Sequence, residues 1–394
     1  MMKKTISITI ILLLAIYSTA GARQKPGLKD ALGKYFLVGC AMNTEQINGN
    51  DEKSVELAKA NFNSIVAENC MKPENIEPEE GKYNWTDADK LVNFGHNNNM
   101  KVIGHVLVWH SQTAPWMFQN KYGELPNREE MIKRMHDYIF TVVNRYKGRV
   151  FGWDVANECF LDDGSFRQSP WYRAIGPEFI KLAFQFAHEA DPDAELYYND
   201  YSMSNPGKRA AVIKLIKDLK ASGCRIDAVG MQSHNGTDYP DLKEYEETMK
   251  ALIGAGVKIN ISELDVNMLP NPESFSGADI SQKYAGDPKM NPYVNGLPKQ
   301  AEQLFKERYM SFFRLYYKYR EHIARVCTWG ITDNSSWLND WPIKGRTNYP
   351  LLFDRKYKAK PVVEDIIKLF ESSGKEQEDK PWNTSLQQLI TSVK

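Results

Sequence analysis

The sequence has no excess of either charge: 50 Lys and Arg face 50 Asp and Glu, so the formal net charge is zero. Tight binding of nucleic acid or of an anionic membrane surface usually shows a basic surplus, so neither is expected as the main partner. Cysteine is scarce, with five widely scattered residues (Cys40, Cys70, Cys159, Cys224, Cys327). An odd and scattered set forms no disulfide framework, and buried thiols are expected. No CxxC or HxH pair occurs, which argues against a structural zinc or a metal-dependent hydrolase. No glycine-rich phosphate loop follows the first strand-like run, and no internal repeat or separating linker is present.

Long apolar runs are missing as well. The one at the N-terminus, Ile8 to Ile16, follows Lys3 and Lys4 and precedes Ala20-Gly21-Ala22. A basic start, a short apolar core and small residues before a cut make a cleavable signal peptide over residues 1–22. The core is too short to span a bilayer, and no cysteine follows closely enough to carry a lipid anchor. A secreted or periplasmic monomer is expected. What the sequence does have is apolar material for a core, 42% of residues, and aromatics at 12%, including 9 Trp and 20 Tyr. Flat rings in that number also suit a polymer whose sugar rings offer apolar faces.

Strand-like and helix-like segments alternate eight times. The strand-like runs are Phe36 to Met42, Ser64 to Ala67, Lys101 to His110, Val150 to Val155, Glu195 to Asn199, Asp227 to Gln232, Val257 to Ile261 and Val326 to Ile331. Helix-like segments lie near 51–61, 86–98, 128–145, 171–190, 207–221, 241–253, 301–322 and 360–370. Strict alternation implies parallel strands with helical crossovers. Eight units over ~350 residues fit an α/β fold of the (β/α)8 TIM-barrel type, with a doubly wound open sheet as runner-up. One barrel domain is expected over residues 23–373, with a tail at 374–394. The stretch from Asn267 to Lys299 reads as a long loop after strand seven, on the face where barrels keep their sites, and is expected to shape substrate choice.

Polar residues gather at the carboxyl ends of these strands: Glu68-Asn69-Cys70-Met71-Lys72, His105 with Trp109-His110-Ser111-Gln112, Trp153 to Glu158, Gln232-Ser233-His234, Ser262 to Asp265, then Trp329 and Trp337. Glu158 and Glu263 fall on strands four and seven, across the mouth of such a barrel. Two carboxyl groups flanking a glycosidic bond are what glycoside hydrolysis needs, one to protonate the leaving oxygen and one to attack or to activate water. Asn157, before Glu158, is placed for a sugar 2-hydroxyl. His234 is placed to donate to Glu263 and keep it ionised. The bland alternative makes both glutamates buried ion-pair partners of Lys72 or a histidine. A metal site on His105, His110 and His234 is the other alternative, and Lys72 nearby would repel a cation.

With these residues in view, the chain resembles the endo-1,4-β-xylanases of glycoside hydrolase family 10, from the first strand to Val362. The WDVANE run at Trp153 to Glu158 is similar to the acid/base motif and implies that role for Glu158. The ISELDV run at Ile261 to Val266 implies the nucleophile at Glu263, with Asp265 supporting it. The run at Ala67 to Lys72 resembles the segment that binds sugars on the non-reducing side, through Glu68, Asn69 and Lys72, and His105 with the WHSQ run at Trp109 to Gln112 matches likewise. The resemblance further implies Tyr201 beside the leaving-group sugar, Gln232 and His234 in the QSH run, and Trp329 and Trp337 over the glycone. Pro73, Cys70, Cys159 and a lengthened Asn267 to Lys299 loop depart from the pattern. The implied reaction is a retaining double displacement on xylan or arabinoxylan and their oligosaccharides, with no cofactor and no metal. The negative charge of Glu263 is expected to raise the pKa of Glu158. A cellulase, a mannanase or a non-catalytic polysaccharide-binding barrel are the alternatives.

Overall fold

The computed structural model describes residues 26–275, 277–372 and 389–391. The proposed signal peptide at 1–22 and most of the tail at 374–394 lie outside the described residues. Eight parallel strands close a barrel: β1 (Leu37–Met42), β2 (Ser64–Ala67), β3 (Lys101–Val108), β4 (Gly152–Asn157), β5 (Glu195–Asp200), β6 (Ala228–Met231), β7 (Lys258–Asn267) and β8 (Ile323–Thr328). Each pairs with the next in parallel, and β8 pairs with β1, with Val38 opposite Val326. A short segment, His234–Gly236, continues β6 beyond a break and pairs with the far end of β7. Strands buried on both faces read as apolar runs, and β2, Ser-Ile-Val-Ala, is buried at every position.

The helices form where caps and periodicity agree. In Arg128–Arg145 the Asn127 side chain accepts from the Glu130 amide, Glu129 and Glu130 occupy the first turn and Arg145 the last. Its buried residues Met131, Met135, Tyr138, Ile139 and Val142 recur on one face. The segment expected as one helix over 171–190 is two, Pro170–Ile175 and Phe179–Ala190. Gly176 between them takes φ 85°, a left-handed conformation that ends the first helix at little cost only for glycine. Strand β7 also runs further than expected, to Asn267, because His234–Gly236 gives its upper half a partner.

The core has two parts. A large apolar layer lies between strands and helices, and a smaller one fills the barrel axis with Ala41, Val66, Ile103, Tyr197, Ala228 and Cys327. All five cysteines are free thiols, four of them buried and Cys224 half-buried. Cys40 and Cys327 are on neighbouring strands but belong to different layers, so they face away from each other. No helix among the described residues is long and apolar enough to cross a membrane.

Three strands carry a register shift near their carboxyl ends. It lies between His105 and Val108 in β3, between Asp154 and Ala156 in β4, and between Ile261 and Leu264 in β7. Across β6 and β7, Met231 faces Ile261 whereas His234 faces Asp265, so β7 holds one residue more over that step. An extra residue in one strand is a β-bulge and re-aims the side chains beyond it. Every one of these shifts lies at the rim where the polar residues collect.

Candidate active site

Glu158 directly follows β4 with φ 55°, a conformation that costs a non-glycine residue energy and is held here by its amide donating to the Asn199 carbonyl at 2.9 Å. Its carboxyl accepts from three donors. Trp109 Nε1 reaches Oε2 at 3.0 Å, Gln232 Nε2 reaches Oε1 at 3.0 Å, and Asn157 Nδ2 reaches Oε1 at 3.3 Å. The group is 5% exposed. Burial pushes its pKa up to about 7, and the charges of Asp200 and Glu263 push the same way, while Gln232 and Trp109 restrain the rise. The expected push from Glu263 is therefore present, but it is not the main cause. Loss of water is the main cause, and Asp200 contributes ahead of Glu263.

Glu263 is buried just as deeply and ends in the opposite state. Burial raises its pKa, but His234 Nε2 at 3.1 Å from Oε2, the nearby His105 and Asn199 Nδ2 at 2.7 Å from Oε1 outweigh it, so the carboxyl lies below the ordinary value. His234 in turn sets Nδ1 3.0 Å from Asp265 Oδ2. Burial resists charging the imidazole, yet the two carboxylates hold its pKa up at about 10. Asp265 reaches the site only through others, accepting from His234 and from Trp337 Nε1 at 2.8 Å.

An amide triangle joins the two glutamates. Asn157 Oδ1 accepts from Asn199 Nδ2 at 3.0 Å and from Gln232 Nε2 at 3.2 Å, and Ser262 Oγ donates to Asn199 Oδ1. Asn157 thus serves the framework, while Nδ2 still has a hydrogen to offer a ligand. On the other flank, Lys72 Nζ donates to Asn69 Oδ1 at 2.9 Å and Gln112 Oε1 at 2.6 Å, beside the Trp109 ring at 5.2 Å. Burial lowers the Lys72 pKa, and Glu68, Glu263 and Glu158 oppose the drop. The Glu68 carboxyl is raised by burial against the pull of Lys72. His105 Nδ1 is 2.9 Å from Asp154 Oδ2, both buried.

One cavity of about 190 Å³ takes in both glutamates, Glu68, Asn69, Lys72, His105, Trp109, Gln112, Asn157, Gln232, His234, Trp329 and Trp337. Trp329 stands edge-on to His105 at 5.4 Å, and Trp337 stacks on Trp341 at 4.4 Å. Tyr201 is the expected sugar-binding residue that does not line this cavity. It is 6% exposed, accepts from Arg167 Nη2 at 2.6 Å and lies under the Lys208 ammonium, 3.9 Å from its ring centroid. Instead Ala278 and Ile280, from the loop after β7, complete the lining.

The reading from sequence missed six positions. Asn199, Asp154 and Ser262 lie inside runs already singled out, so their neighbours carried the signal. Ala278 and Ile280 lie in the Asn267 to Lys299 loop, which was singled out only as a whole, and Arg167 lies in an irregular loop without a signal. Among the described residues no group of three or more His, Cys, Asp or Glu is arranged to hold a metal ion. Two deeply buried carboxyl groups, one protonated near neutral pH and one ionised, bordered by hydroxyl-binding amides and tryptophans, can perform acid-assisted displacement at a sugar.

Comparison with known proteins agrees. The family model described as glycosyl hydrolase family 10 matches residues 27–369. The endo-1,4-beta-xylanase A of Xylanibacter ruminicola is 62% identical over 352 residues, covering 89% of this chain and 95% of that protein. A GH10 endoxylanase retrieved from a sugarcane soil metagenome superposes with a TM-score of 0.83 at 43% identity, over 88% of this chain and all of that one. A mutant structure in complex with xylotriose gives 0.77 at 31% identity, over 86% and 99% of the two chains.

Proposed function

This chain belongs to glycosyl hydrolase family 10, and from that premise we propose that it is an endo-1,4-β-xylanase that hydrolyses internal bonds of xylan by a retaining double displacement. The observation that carries the reading is the opposed state of two equally buried glutamates, Glu158 at about 7 and Glu263 below the usual carboxylate value. Protonated Glu158 delivers its proton to the departing glycosidic oxygen. Ionised Glu263, released from neither His234 nor Asn199, attacks the anomeric carbon and forms a glycosyl-enzyme. That ester no longer carries charge, so one of the influences raising Glu158 disappears, and its carboxylate takes a proton from the incoming water.

Lys72, Asn69, Glu68 and Gln112 hold the hydroxyls of the glycone, with His105 below and Trp329 and Trp337 offering apolar faces. The 62% identity to a named xylanase and the xylotriose-bound neighbour support xylan or arabinoxylan and their oligosaccharides as substrates. Xylose lacks the C5 hydroxymethyl group, and a cavity closed by two tryptophans disfavours hexoses. Residues 23–373 are proposed as the exported catalytic unit, secreted or periplasmic, after removal of the leader. Initial rates on xylan, carboxymethyl cellulose and mannan test the substrate, with xylan expected to dominate. Equal rates on cellulose would remove the assignment. Proton NMR of the first product formed tests the stereochemistry, since retention requires the β-anomer to appear first.

A further inference from the structure

The loop after β7 brings Ala278 and Ile280 into the cavity that holds both glutamates. Its Asp279 places Oδ2 3.0 Å from Arg167 Nη1, and the same guanidinium donates from Nε to the Glu158 carbonyl at 3.0 Å and from Nη2 to the Tyr201 hydroxyl. One side chain therefore ties the loops after β4 and β7 to the residue that follows β5. Asp279 Oδ1 also accepts from the Ser281 amide at 2.9 Å, which fixes the turn around it.

This anchoring lays the loop backbone on Tyr201. Gly277 has φ 63°, and a Cβ built there would come within 2.8 Å of Tyr201 Cε2. Ala278 is 4% exposed and packs with Tyr201, Leu338 and Trp341, and Phe275 meets Trp341 at 5.2 Å. With Lys208 over the ring as well, Tyr201 is nearly buried and does not line the cavity that holds the two glutamates. The half-buried Ile280 and the buried Ala278 are the loop residues that line the cavity shared by Glu158 and Glu263.

We infer that Ile280, with Ala278 and anchored by the Arg167–Asp279 ion pair, receives the leaving-group sugar in place of Tyr201. The inference rests on the xylanase reading above, in which Lys72 and Asn69 hold the glycone and the opposite flank holds the leaving group. Ile280 is a specificity-determining contact. Its branched side chain packs on the apolar face of a xylose ring and positions the bond against Glu158.

The test compares two substrates that share a glycone. Xylotetraose has a sugar as leaving group, whereas β-xylobiosyl fluoride has a single atom that reaches no loop residue. In Ile280→Ala, kcat/KM for xylotetraose is expected to fall about fivefold to tenfold, a ~1 to 1.4 kcal/mol difference, with the fluoride unchanged within twofold. Asp279→Ala should give the same selective loss by releasing the loop. Unchanged thermal unfolding in both variants keeps a folding defect apart from this effect. Equal losses on the two substrates, or no loss on xylotetraose, would overturn the inference while leaving the xylanase reading intact. Failure of the unmodified protein to cleave xylotetraose would overturn the xylanase reading itself.

Discussion

His234 meets Glu263 at 3.1 Å through Nε2 and Asp265 at 3.0 Å through Nδ1, so one imidazolium is held between two buried carboxylates. Glu158, a few residues away across the amide triangle, accepts only neutral donors. The contrast between a cation and neutral amides separates the two acidities, and several measurements follow from it.

The pH profile of kcat/KM on xylo-oligosaccharides is expected to fall above about pH 7, because Glu158 must be protonated for the first step and loses its proton there. On the acid side the activity should persist to below the usual carboxylate value, since Glu263 must be ionised and its pKa is lowered. His234, with a pKa of about 10, stays charged across that window. A profile whose basic limb lies near pH 5 would contradict the burial argument for Glu158.

The two limbs should move separately. Replacing His234 by Asn removes a cation from Glu263, so burial regains control, its pKa rises and the acid limb shifts upward by about a unit or more. Replacing Gln232 by Leu removes a donor that restrains Glu158, so the basic limb shifts upward. Both profiles are read on xylotetraose, whose sugar leaving group needs the Glu158 proton, and movement of the same limb in both variants would show the assignments to be wrong.

Glu263→Ala removes the attacking atom, and no activity should remain on any substrate. Glu158→Ala removes only the proton donor, so xylan should lose ~10² to 10⁴-fold or more. An aryl xylobioside with an acidic phenol needs little protonation, and water then lacks its base. Stopped-flow should therefore record a burst of phenol followed by slow turnover in the Glu158 variant. A burst in the Glu263 variant instead would exchange the two roles.

Lys208 and Asp200 form an ion pair at 3.0 Å with neither side chain exposed, and Asp200 also accepts from Tyr198 at 2.6 Å. Lys208→Met leaves that carboxylate unpaired and should cost ~3 to 5 kcal/mol in denaturant unfolding. Burial then drives Asp200 toward its neutral form, which relieves its repulsion on Glu158. The basic limb should accordingly move downward in the same variant, and a limb that stays in place would remove Asp200 from the account of Glu158.

The barrel was legible because eight apolar runs alternate with eight amphipathic ones, and each run became a strand, β7 with a longer carboxyl end than its run. Site residues were legible where they stood in contiguous motifs at strand ends. Strand periodicity alone would have misplaced Glu263. Ser262 and Glu263 are consecutive, which in a regular strand sends them to opposite faces, yet both touch Asn199. The extra residue in β7 permits this, and a bulge leaves no mark in hydrophobic patterning. Glu158 reaches the cleft through a left-handed residue, which is equally silent in a pattern of apolar positions. The surroundings of Tyr201 were illegible for a different reason. They are set by Asp279 and Gly277, more than seventy positions away in a loop with no period of its own.

The thiols have a consequence outside catalysis. Burial raises the pKa of all five, to about 12 for Cys70 and Cys327, so almost no thiolate exists near neutral pH to react with an oxidant or a disulfide. Cys40 and Cys327, the two on adjacent strands, face opposite layers of the wall and cannot be bridged without turning a strand over. The fold therefore needs no oxidant to mature and has no disulfide to lose in a reducing medium.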